Sequence, residues 1–213
     1  MSVKSMYLLA YNAVSFLMWA YLLCRAITFF PSLYAESRLQ VLYPELFPAL
    51  AATQTLALLE VLHALLGVVK SSPATTALQV GGKNLVVWTV MAPFEDIISA
   101  PVGIWGFFGC IVAWGCSETI RYGFFAVQLA CRESPLWLKW LRYSAFIILY
   151  PPGFLSEAWL VYVSLTRAFA IGILYRSYLL LGLMSYLPAG YFLYTYMLSQ
   201  RRRVLSKDKM MQR

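Results

Sequence analysis

Charge is what this 213-residue sequence has least of. Only 12% of its residues are Asp, Glu, Lys or Arg, about half of the roughly 25% typical of a soluble domain. With 61% hydrophobic residues and a mean hydropathy of +0.68, the chain reads as an all-α polytopic membrane protein, one domain built as a helical bundle. Histidine is scarcer still, since His63 is the only one. That disfavours His-rich desaturase centres and zinc hydrolase sites, which need several imidazoles, so no metal site is expected. The four cysteines, Cys24, Cys110, Cys116 and Cys131, lie in or beside apolar segments without a Cys-x-x-Cys pair. Free, buried thiols are the expectation. Neither Asn12 nor Asn84 opens a glycosylation sequon, and there is no convincing internal repeat.

The formal charge of +8 would suggest nucleic acid if it were spread over a surface. Much of it instead lies in the tail 201–213, directly after an apolar run. There a basic cluster reports cytosolic orientation and contact with anionic lipid, so no nucleic-acid partner is expected. A spanning helix needs roughly 20 mainly apolar residues. On that yardstick about six spans are expected, over 6–29, 47–69, 78–91, 102–121 with an amphipathic continuation to 129, 138–165 and 179–198. The first follows Lys4 with no obvious cleavage site and reads as a retained membrane helix. The membrane domain is then 1–200 and the basic tail 201–213. Lys4, Lys70, the 132–142 stretch and the tail fall on one side. Glu36, Arg38, Glu45, Glu95 and Asp96 fall on the other, with Arg167 and Arg176 as exceptions. The balance places both termini in the cytosol.

Polar residues inside these spans are the functional candidates, because ionisable groups are costly at that depth. Glu60 and His63 are three apart on one helical face. A di-iron bundle needs such a Glu-x-x-His pair twice, which a single histidine forbids. A Glu–His hydrogen bond joining helices and a place in a substrate pocket both stay open. Gln79 and Lys83 are four apart near the entrance of the third span. Lys83 either snorkels to the interface or receives the phosphates of an anionic substrate. Glu118 and Arg121 have the spacing of an intrahelical pair and read as structural. Cys116 and Arg121 do not form a phosphatase loop: four residues intervene where the usual spacing has five, and no Gly-rich cradle lies between them.

The stretch 141–162, LRYSAFIILYPPGFLSEAWLVY, gathers the most chemistry. It carries Arg142, then Tyr150 before Pro151-Pro152-Gly153, then Glu157. Tyr150 and Glu157 are seven apart and share one face of an unbroken helix. A buried carboxyl and a phenol can form an acid–base pair. The two prolines remove helix hydrogen bonds, so a bend or break is expected here, lining a cavity. A kinked helix with a Tyr–Glu contact to a neighbour is the structural alternative.

These segments, with YLLAYNAVSFLMWAYLL, LEVLHALLGVVKSSPATTALQV and WGCSETIRYGFF, resemble the very-long-chain 3-hydroxyacyl-CoA dehydratase family, historically called protein-tyrosine-phosphatase-like. The resemblance covers nearly the whole chain. It implies a six-span endoplasmic-reticulum enzyme that converts 3-hydroxyacyl-CoA to trans-2-enoyl-CoA in fatty-acid elongation, without metal or redox cofactor. It implies Tyr150 and Glu157 as the catalytic pair and Glu60, Gln79, Arg142 and Gly153 as supporting positions. The implied partners are the long-chain 3-hydroxyacyl-CoA, the bilayer, and the condensing, ketoacyl-reducing and enoyl-reducing enzymes of elongation. Where the family usually has arginine this chain has Lys83, which keeps the charge but loses the bidentate fork. A catalytically weak scaffold of the elongation complex is the competing expectation. A small-solute transporter is disfavoured by the missing repeat symmetry.

Overall fold

A computed structural model describes residues 2–131 and 133–211, and every described element is helical. The helices are α1 (Val3–Ala35), α2 (Leu42–Leu56), α3 (Leu59–Leu65), α4 (Pro73–Val86), α5 (Glu95–Ile98), α6 (Ile104–Cys131), α7 (Leu136–Ser144), α8 (Phe146–Ile171) and α9 (Ile173–Met211). Among the described residues, three segments are long and apolar enough to cross a membrane: Val3–Ala35, Leu39–Leu65 and Leu136–Ile171. Helices α6 and α9 have the length, at 28 and 39 residues, but polar and charged residues interrupt their apolar runs.

Helix α6 is central. It packs against α1 on one side and α8 on another, and α8 in turn packs against α9. The core between them is built from Trp19 and Leu22 of α1, Leu46 and Leu50 of α2, Phe107 and Ile111 of α6, and Leu160 of α8, all essentially without exposure. Many large apolar side chains instead face outward, among them Leu17, Ile148, Leu174 and Leu187. An apolar exterior of this extent suits hydrocarbon rather than water.

Several local features depart from the regular spans read in the sequence. The second span is two helices, because the amides of Leu58 and Glu60 bond three residues back, to Thr55 and Ala57, and tighten the turn. The third begins at Ser72, whose hydroxyl caps the Thr75 amide with Pro73 following at the first helical position. It ends in a π turn, Val87–Met91, closed by the Ala92 amide on the Val87 carbonyl. The expected break at Pro151-Pro152 does not occur, and α8 runs helically from Phe146 through Ile171. Both prolines are exposed, so their rings lie on the outer side of the helix. The packed face that follows, starting with buried Gly153, holds the backbone helical despite two missing amides. Cys110 is buried and Cys116 half-buried, but Cys24 and Cys131 are exposed, which corrects the expectation of four buried thiols. All four are free.

Ion pairs join neighbouring helices. Arg167, an exception in the charge count, pairs with Asp96 at 3.0 Å, and Arg25 pairs with Glu45 at 3.2 Å. Helix α9 continues past position 200, and Arg201 Nε donates to Ser144 Oγ at 3.0 Å.

Candidate active site

Small residues line the crossing of α6 and α8. A side chain at Gly109 would strike Ser156, one at Gly106 would strike Leu160, and a Cβ at Gly153 would sit 3.0 Å from the Ala113 methyl. Gly106, Gly109 and Ala113 therefore let the two helices approach closely. Trp114, next on α6 and itself buried, reaches across to Glu157. Its Nε1 donates to Glu157 Oε1 at 2.7 Å. From α9, the Tyr186 hydroxyl donates to Oε2 at 3.3 Å. Donors from two other helices thus hold the two carboxylate oxygens.

Tyr150 lies two turns earlier on α8. Its ring stacks on Phe154 with centroids 5.3 Å apart, and tilts against Tyr194 of α9 at 6.0 Å. Its hydroxyl is buried and has no hydrogen-bond partner among the described residues. Tyr150 and Glu157 make no hydrogen bond to each other; the unbroken helix separates them by about 10 Å along its axis.

A second polar group sits on the neighbouring part of α6. Arg121 grips Glu60 of α3 with both terminal nitrogens at 2.7 Å and gives its Nε to Glu118 at 2.5 Å. Lys83 of α4 takes the other Glu118 oxygen at 2.5 Å, and the Tyr122 hydroxyl donates to Glu60. Two cations and two carboxylates are balanced here, with side chains only 11–22% exposed. Such a group stays inside because each charge has a fixed counter-charge and directed hydrogen bonds. It also confirms that Cys116 and Arg121 form no phosphatase loop, since carboxylates occupy the guanidinium. Lys83 does not snorkel. Its ammonium is turned inward onto Glu118 and lies 5.6 Å from the centre of the Trp114 ring, which joins the two groups.

The remaining candidates are dispersed. Glu60 and His63 do not bond each other as expected. Glu60 turns to α6, whereas buried His63 shares a 2.7 Å hydrogen bond with the Tyr7 hydroxyl and stands edge-on to Tyr11. Histidine therefore ties α3 to α1. Gln79 is exposed on α4, outside both groups. Arg142 is half-buried, with its guanidinium 5.7 Å from the Tyr143 ring and 5.9 Å from Phe125. Aromatic faces rather than carboxylates accompany it among the described residues. No cluster of three His, Cys, Asp or Glu side chains suited to a metal ion occurs among the described residues.

Sequence reasoning missed Trp114 and Tyr186. A signal existed for the first: Trp114 precedes Glu118 by four residues and so shares its face of α6. None existed for Tyr186, one of 15 tyrosines, because its role comes from how α9 docks.

The family described as protein tyrosine phosphatase-like protein, PTPLA, matches residues 54–207. Among curated proteins, the chain is 33% identical to the very-long-chain (3R)-3-hydroxyacyl-CoA dehydratase PASTICCINO 2 of Arabidopsis thaliana, covering 97% of this chain and 96% of that one. It is 36% identical to a probable very-long-chain (3R)-3-hydroxyacyl-CoA dehydratase of Schizosaccharomyces pombe, over 95% and 94% of the two chains. With the human very-long-chain (3R)-3-hydroxyacyl-CoA dehydratase 2 it shares 32% identity over 94% of this chain and 81% of that one. No solved structure matches the chain.

Proposed function

The chain belongs to the protein tyrosine phosphatase-like, PTPLA, family, and from that membership we propose that it is a 3-hydroxyacyl-CoA dehydratase of very-long-chain fatty-acid elongation. The names of its full-length relatives support the reaction. The observation that carries the site is the buried, unpartnered Tyr150 hydroxyl on the same helix as a carboxylate held by two donors. Leaving a buried hydroxyl unpaired costs about 1–3 kcal/mol, and such groups call for a functional account. A substrate oxygen is the partner this hydroxyl lacks.

In the proposed step, Glu157 takes the C2 proton. The C2–H electron pair forms the C2=C3 double bond, and the C3–O bond breaks. Tyr150 protonates the departing oxygen, so water leaves, and the proton on Glu157 returns to the tyrosinate before the next turnover. The two side chains need not touch. Two hydrogen-bond reaches of about 3 Å each plus the substrate's own C2–C3–O unit span most of the axial offset. The acyl chain would lie among the apolar helices. The finer setting we propose is an endoplasmic-reticulum membrane, six spans with both termini cytosolic, and work alongside the other elongation enzymes.

The test uses detergent-purified protein and long-chain 3-hydroxyacyl-CoA, following enoyl-CoA formation. Tyr150→Phe and Glu157→Gln should each reduce turnover by about 10²-fold or more while the protein stays folded. Turnover that survives both substitutions would move the chemistry elsewhere in the bundle. A folded wild type inactive across chain lengths, yet still binding elongation enzymes, would make it a scaffold.

A further inference from the structure

The carboxylate at the centre of the proposed reaction is held by residues that the acid–base assignment leaves unused. Trp114 has one donor, Nε1, and it is spent on Glu157 Oε1 at 2.7 Å. Four residues on, one helical turn along α6, Glu118 anchors Lys83 at 2.5 Å, and the Lys83 ammonium lies 5.6 Å from the centre of the same indole ring. Arg121 fixes Glu118 from the other side while gripping Glu60 with its fork. The order of contact is therefore Glu60, Arg121, Glu118, Lys83, Trp114, Glu157, across four helices.

We propose that Trp114 is a positioning residue for Glu157, and that Lys83 strengthens its grip through the indole ring. The proposal rests on Glu157 being the reacting carboxylate. The physical argument has two parts. The indole is buried and cannot rotate freely, so the hydrogen bond fixes which Glu157 oxygen is occupied and leaves the Tyr186 side more weakly held, at 3.3 Å. A cation near an aromatic ring draws on its electrons, which makes the ring N–H a better donor, and linked polar contacts in a low-dielectric interior reinforce one another. Lys83 thereby acts on the reaction's carboxylate, while its own charge is balanced by Glu118.

The experiment combines turnover with the indole N–H resonances of isotope-labelled tryptophan in detergent-solubilised protein. Trp114→Phe identifies the Trp114 resonance by its loss. That resonance should move in Glu157→Gln and in Lys83→Met, and return in Lys83→Arg. The Trp159 resonance should stay in place as an internal control, because Trp159 donates to the Val102 carbonyl at 2.6 Å. In turnover, Trp114→Phe should lower kcat roughly 10- to 100-fold, the range for a hydrogen bond to a charged group, with KM within about twofold. Lys83→Met should lower kcat in the same sense, with Lys83→Arg restoring it.

A Trp114 resonance indifferent to Glu157→Gln, or an unchanged kcat in Trp114→Phe, would overturn the proposal. So would a loss confined to KM. If the wild type forms no enoyl-CoA while the resonance still follows Glu157, the contact is upheld and the dehydratase reading fails, so the two failures are told apart.

Discussion

Replacing Arg121 by methionine removes the fork that joins α3 to α6 and leaves two buried carboxylates with one donor each. Glu60 keeps the Tyr122 hydroxyl, and Glu118 keeps Lys83. Removing one partner of a buried ion pair costs about 3–5 kcal/mol. The surviving donors place this case near the lower end, at about 3 kcal/mol. For a chain of this size that corresponds to a fall in Tm of roughly 6–12 °C. The assay is unfolding of the detergent-solubilised protein followed by far-ultraviolet circular dichroism, with reversibility checked in mixed micelles. A double-mutant cycle with Glu60→Gln gives the decisive number. Once Glu60 no longer needs a counter-charge, the further loss from Arg121→Met should shrink by about 1–3 kcal/mol. A single-variant loss below about 1 kcal/mol, or additivity within about 0.5 kcal/mol, would refute the view that this cluster acts as a unit holding the helices together.

Two other substitutions test how stability and the site are related. Tyr150→Phe deletes a buried hydroxyl that has no partner among the described residues, so stability should hold or rise by up to about 1 kcal/mol while enoyl-CoA formation collapses; a parallel loss of both in the same melting and turnover assays would mean the hydroxyl is structural. Gly153→Val would press a branched side chain onto the Ala113 methyl across the α6–α8 contact. Overpacking of that kind costs about 1–3 kcal/mol, and by parting the helices it should also weaken the Trp114–Glu157 contact, seen as a lower Tm together with a displaced Trp114 indole resonance.

Much of this molecule is written locally. A membrane-embedded helical bundle follows from long apolar runs, because hydropathy belongs to each segment without reference to its neighbours. The Glu118–Arg121 pair follows from a spacing of three along one helix, and the prominence of Tyr150 and Glu157 follows from their polar chemistry inside an apolar stretch. Partner choice does not follow. Glu60 and His63 sit three apart, yet one turns to Arg121 of α6 and the other to Tyr7 of α1, because the two side chains of α3 face different neighbours. The proline pair reads as a break, and packing at Gly153 keeps the helix whole. Trp114 meets Glu157 from 43 positions away, and Tyr186 from 29. Trp114 reaches the carboxylate only because Gly106, Gly109 and Ala113 carry too little side chain to hold α6 and α8 apart, and Tyr186 reaches it because α9 packs on α8. The sequence determined which groups are available inside the membrane, since that depends on residue type and local spacing. The tertiary structure decided which of them meet, since that depends on the distance between helix axes, a property of two surfaces packed together.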